Sequence, residues 1–292
     1  FAGCQALVTR CSWGTVARLV GLAVLVGLLA AVQLLPFLDL LQHSQRDASY
    51  GGSVWALPWW GVANLFVPLF RCFETSAGYF LQTEQNWTST FYPGIAVLLL
   101  ALLAVRPGGG RRVVLMLALT GAALWLALAE QGGLFSVLSR GIPLGVMRYP
   151  VKFVALLTVT LPLLAAFGVR SVLADPAGAR TMRPALIGTV VVITGIGWWG
   201  AAVPYADTVG SNAVDSAVRS GAHLVLFGLA LWVAVRVSVP WARVLLLVVA
   251  VGIVWSDLLL HLPGLMPRVS RASYEPSVLV RENLQPPPRV GD

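Results

Sequence analysis

Apolar residues run through this chain in long stretches, divided by short polar connections, and within the stretches the pattern shows no period of two. A hydrocarbon core of about 30 Å is crossed by about 20 residues at about 1.5 Å each, so a run approaching that length marks a span. Seven runs approach it, at about 17–38, 92–105, 113–130, 152–169, 185–203, 221–236 and 242–260. The second is short and is expected to begin inside the aromatic segment before it. Leucine and β-branched residues mix within each run, whereas barrel strands would alternate. Helices satisfy their own backbone in lipid and are the remaining choice. The pattern predicts an all-α fold, a polytopic transmembrane helix bundle over residues 1–260 with about seven spans.

Charge orients the bundle. Arg10, Arg18, Arg106, Arg111, Arg112, Arg170, Arg180, Arg183, Arg236 and Arg243 lie before the first run or in alternate short turns, and they are half of the 20 Lys and Arg. The positive-inside rule puts those turns and the N-terminus in the cytoplasm. Of the 12 acids, Asp175 alone falls in such a turn. The working face is then the extracytoplasmic one. An outer loop at about 36–90 and a tail at 261–292 are expected on it. The tail is Pro-rich, like the entry to a soluble domain, and Phe1 in place of a methionine reads as part of a longer protein.

Composition agrees. A chain that is 58% hydrophobic and 11% charged, with mean hydropathy +0.81, needs lipid as its solvent. The net charge of +8 is explained by cytoplasmic arginine facing anionic lipid, so no nucleic-acid partner is called for. Cys4, Cys11 and Cys72 form no CxxC pair, and no ligand spacing demands a metal. Gly108-Gly109-Gly110 is followed by arginines, without the Lys-Ser or Lys-Thr of a phosphate-binding loop.

Two features carry candidate chemistry. The outer loop holds Trp55, Trp59, Trp60, Trp87, Tyr50 and Tyr79 around the short apolar run Asn64–Phe70. It reads either as an interfacial helix lying over the bundle or as an aromatic groove for a sugar or isoprenoid chain. The second feature is where the ionisable groups stand. None is at mid-span, which disfavours ion-coupled transport, since a charge there usually marks an ion path. They gather at the outer boundary instead: Asp39 and His43, Glu130, Arg148 and Lys152, His223, then Asp257 and His261. These groups either pair, cap helices and mark the water boundary, or form a polar site. In such a site Arg148 and Lys152 hold a phosphate or pyrophosphate while Asp39 or Asp257 serves as base or metal ligand.

Gln33-Leu34-Leu35-Pro36 with Asp39, then Phe66-Val67-Pro68-Leu69-Phe70, Tyr92-Pro93-Gly94, Arg148-Tyr149-Pro150-Val151-Lys152-Phe153, and Asp257 with Tyr274-Glu275-Pro276, stand in an order that resembles the YfhO-like family of bacterial multi-pass membrane proteins. The resemblance implies a GT-C-type glycosyltransferase-like membrane fold in the bacterial plasma membrane. It also implies a polyprenyl-phosphate-linked sugar as donor and a cell-envelope polymer as acceptor. Arg148 and Lys152 match the family's basic motif as contacts for the lipid-linked phosphate, whereas no catalytic role carries over to Asp39. The catalytic residue is expected upstream of Phe1. The alternative is a non-enzymatic scaffold or a lipid or polymer exporter.

Overall fold

The computed structural model of the protein describes residues 13–43, 55–75, 78–105, 110–133, 137–138, 149–174, 176–203 and 209–262. Seven α-helices lie among them: α1 (Trp13–His43), α2 (Ile95–Ala104), α3 (Gly110–Ala127), α4 (Leu157–Ala174), α5 (Pro176–Ala202), α6 (Val209–Arg236) and α7 (Pro240–Leu260). Six of them are long and apolar enough to cross a membrane, over segments whose mean hydropathy is 1.4 to 2.4. Lipid is the solvent that such surfaces need, and a polytopic helical bundle follows.

The expected second span is corrected. Its helix has 10 residues, a rise of about 15 Å, which is half of a hydrocarbon core. Tyr92 and Pro93 lie outside it, because Gly94 at φ 95° turns the chain just before the first helical residue. Ile95, Ala96, Leu98, Leu99 and Leu103 are all buried, and α2 packs against α4 most closely and also against α5, α6 and α7. It is the core of the bundle.

Small residues allow that packing. A Cβ on Gly168 of α4 would stand 1.9 Å from the Leu100 carbonyl oxygen of α2, and one on Gly197 of α5 would meet the Ala217 Cβ of α6 at 2.8 Å. Without a hydrophobic drive between helices in lipid, such close approach supplies the attraction. Thr120 adds a polar link, donating to the Met116 carbonyl at 2.8 Å and bonding Thr160 of α4 at 2.9 Å. At the turn between α6 and α7, Arg243 donates to the Val237 carbonyl at 2.9 Å, a cation beside the negative end of α6. By contrast, α1 buries none of its described side chains.

Residues 55–94 correct two expectations. No interfacial α-helix forms among those described. Instead a 3-10 helix (Trp59–Leu65) is followed by a two-stranded antiparallel hairpin, β1 (Cys72–Glu74) and β2 (Phe80–Gln82), so the fold is not wholly α. The Asn64–Phe70 run turns inward, with Leu65, Val67 and Phe70 buried. The Asn64 side chain fixes the turn, accepting from Leu69 N–H at 3.2 Å and Thr90 Oγ1 at 3.1 Å while donating to the Ser89 carbonyl at 3.1 Å. Backbone bonds tie the unit to the end of α3, from Leu57 N–H to the Ala127 carbonyl at 2.8 Å.

Candidate functional site

Two clusters of chemically able side chains meet at residues 87–95. The first is buried. Asp257, in the last turn of α7, is fully enclosed, and both of its oxygens are used. Oδ2 accepts from the Ile95 backbone N–H at 2.9 Å and the Tyr92 hydroxyl at 2.9 Å; Oδ1 accepts from Tyr92 at 3.0 Å and from His261 Nδ1 at 2.9 Å. Ile95 N–H is one of the four amides that open α2 without an intrahelical partner, so a carboxylate from α7 caps α2 at its positive end. Burial, and after it the Asp257 charge, pushes the Tyr92 phenol above its ordinary range, which keeps the hydroxyl protonated as a donor. Ser220 Oγ lies 3.5 Å from that hydroxyl, and His223 of α6 completes the cluster, its ring centre 6.1 Å from that of His261.

This arrangement overturns two sequence expectations. Asp257 and His261 do not mark a water boundary, because the fold encloses both. Nor is the interior of the spans free of ionisable groups. The α6 helix begins at Val209, so His223 is well inside the membrane-length segment Ala213–Arg236, and it is buried. Asp215 and Arg219, an exposed ion pair at 2.6 Å, had masked the true start of that helix by interrupting its apolar run.

The second cluster is open. Pro150 starts a 3-10 helix (Pro150–Leu156) ahead of α4, which leaves Lys152 exposed beside Tyr149. Its Nζ lies 4.5 Å from the Tyr149 ring centre and 5.3 Å from that of Trp87. Those two rings stack at 4.1 Å, and Trp55 joins Tyr149 at 4.9 Å. Among the described residues no carboxylate pairs with Lys152. The hairpin unit therefore delivers Trp87 from one side and the 3-10 helix ahead of α4 delivers Lys152 from the other. Gln85 holds the Trp87 loop in place: its Oε1 accepts from the Trp87 and Thr88 amides at 2.9 Å each.

Arg71 makes a third, inward contact, with its guanidinium 4.7 Å from the Trp199 ring and 5.0 Å from Trp60. It clamps the hairpin unit to α5, a buried cation over aromatic faces. Nearby, burial pushes the Cys72 thiol up to about 12, with the Asn64 amide offsetting part of the rise, so this cysteine is an inert core thiol.

The residues named from sequence are not gathered into one site. Asp39 and His43 sit together on the last turn of α1, the His43 Nδ1 2.9 Å from the Asp39 carbonyl oxygen, and both are about three-quarters exposed. They are inside the helix, which runs on past 38. Arg148 lies outside the described residues, and so does the tail beyond 262. Lys152 and Asp257 belong to separate clusters, linked through adjacent residues: Phe91 packs against the small core that includes Leu57, Ala127, Val151 and Val154, and Tyr92 bonds Asp257. Among the described residues no group of three metal-ligating side chains forms. Tyr92 and Ser220 were not singled out as site residues from sequence, whereas Trp87 was named among the aromatics of the outer loop; the Tyr92-Pro93-Gly94 turn was the one signal pointing to Tyr92. No protein-family model, curated protein or solved structure matches the chain.

Proposed function

We propose that this chain is the membrane-embedded part of a YfhO-like, GT-C-type glycosyltransferase that takes a sugar from a polyprenyl-phosphate donor and passes it to a cell-envelope acceptor at the extracytoplasmic face of a bacterial plasma membrane. One observation carries the reading: Lys152, exposed and unpaired with any described carboxylate, over the stacked Trp87 and Tyr149 rings. Aromatic faces suit the apolar side of a sugar ring, and an ammonium beside them suits a phosphate. In the transfer, the acceptor oxygen forms a bond to the anomeric carbon as the bond from that carbon to the phosphate oxygen breaks. The electron pair leaves on the phosphate, where Lys152 and Arg148 stabilise the growing charge. The acceptor's proton goes to a base outside the residues described.

Comparing envelope-polymer glycosylation in cells carrying the wild type, Lys152→Ala and Arg148→Ala tests this. Each variant should lower transfer by about a hundredfold or more at normal expression, the scale of a lost transition-state donor. Unchanged glycosylation removes both residues from the mechanism. A groove of about 400 Å³ between α5 and α6, lined by Val190, Gly197, Trp198 and Val218, favours the second reading, a lipid or polymer exporter or scaffold. On that reading the two variants leave glycosylation intact, and filling the groove with Gly221→Leu, at a position with open space, impairs lipid export.

A further inference from the structure

Between α5 and α6 the packing leaves an open groove of about 400 Å³. The two helices run antiparallel and touch at small residues: a Cβ on Gly200 would meet that of Ala213, and one on Gly197 would meet that of Ala217, at 2.8 Å each. Further along, Gly221 has open space beside it, and Val190, Trp198, Val214 and Val218 stand as exposed walls. Of the lining side chains, Thr194 and the Trp198 indole alone carry a polar atom. On α5 the lining extends from Val190 to Ala201, about 16 Å at about 1.5 Å per residue, or about half of a hydrocarbon core. The groove is as deep as one leaflet and opens on lipid.

Charge stands beside its shallow half. The membrane-length segment of α6, Ala213–Arg236, has 24 residues and rises about 36 Å, more than a hydrocarbon core of about 30 Å, so its ends reach the headgroup layers. Asp215 and Arg219 lie near the first of those ends, interleaved with the lining residues Val214 and Val218. Arg219 reaches back one turn to Asp215, as long charged side chains do when they climb toward the interface. One guanidinium nitrogen meets one carboxylate oxygen at 2.6 Å, and both side chains are about half exposed. The pair shows the membrane surface a cation with further N–H donors and an anion with a second oxygen, side by side.

We propose that this groove is a binding site for phosphatidylethanolamine, with an acyl chain lying along α5 from Trp198 toward Val190 and the headgroup seated on the Asp215–Arg219 pair. The headgroup is a zwitterion that complements the pair: its phosphate accepts from the Arg219 guanidinium, and its primary ammonium donates to the Asp215 carboxylate. A choline headgroup has no N–H to give. A glycerol headgroup brings the phosphate without a cation for Asp215. The apolar walls hold the chain through dispersion contacts that an empty groove forgoes. The proposal rests on neither reading of function, because lipid retention is measured without transfer or export.

Native mass spectrometry reads the site on the full chain, released from nanodiscs that hold equal amounts of phosphatidylethanolamine, phosphatidylcholine and phosphatidylglycerol with identical acyl chains. Phosphatidylethanolamine should be retained about fivefold over each of the others, the worth of one hydrogen bond. Asp215→Ala should abolish the preference over phosphatidylglycerol while a lipid is still held, and Gly221→Leu should lose the held lipid whatever its headgroup. Equal retention of the three lipids, a preference for phosphatidylglycerol, or a preference that survives Asp215→Ala overturns the proposal. A phosphatidylethanolamine with a photoreactive diazirine in its acyl chain gives a check on the unaltered protein. Its adducts should concentrate on residues 190–201 and 214–221, and adducts spread equally over α1 and α7 would overturn the proposal as well.

Discussion

Replacing Asp257 strands two donors at once, the Ile95 amide and the Tyr92 hydroxyl, while the His261 ring keeps the backbone carbonyl of residue 257 as its acceptor. Each buried donor left without an acceptor costs about 1–3 kcal/mol, so Asp257→Ala should lose about 3 kcal/mol or more of stability. Asp257→Asn keeps an oxygen for Ile95 and should lose less than half as much. Thermal unfolding in detergent micelles measures both, and an Asp257→Ala loss below about 0.5 kcal/mol would deny the capping role. The sequence showed Asp257 as one acid near the end of an apolar run. What it could not show is the partner, because Tyr92 lies 165 residues away and no local pattern encodes that meeting. Lys152 is the same case: its charge was legible, whereas the rings of Trp87 and Tyr149 beneath it became evident only once the hairpin unit was folded.

At the scale of elements, hydropathy located the helices and misjudged their ends. The lengths of α1, α5 and α6 exceed the apolar runs because a helix continues through Asp39, Arg183 or Asp215 once its backbone bonds are running. For α2 the error went the other way, since Gly94 at positive φ starts the helix late. The Gly168 contact gives the element-scale prediction. A methyl there would fall 1.9 Å from the Leu100 carbonyl oxygen, which is backbone and cannot swing aside. Gly168→Ala must therefore push α4 off α2, costing about 3 kcal/mol, the upper end of ordinary overpacking. Gly121→Ala, at a helical position with open space, is the control and should be near neutral or slightly stabilising. Equal melting temperatures for the two variants would mean that α2 and α4 do not meet as described.

For the whole molecule, the belt of exposed valine, leucine and tryptophan on α1, α5, α6 and α7 makes lipid a structural requirement. The arginine pattern sets the expected sidedness. A membrane-impermeant maleimide applied to intact cells should label Glu84→Cys, in the hairpin unit, and should label Arg243→Cys, in the turn before α7, only after the membrane is opened. The reverse result would invert the bundle and remove the extracytoplasmic site. The cap on α2 also has a consequence in time. Its acceptor is 162 residues further along the chain than the amide it serves. At about 5 to 20 residues per second, roughly 8 to 30 s of synthesis separate the two. The innermost helix is thus made well before α7 and cannot be finished until α7 arrives, so translation speed sets the earliest moment at which this bundle can close.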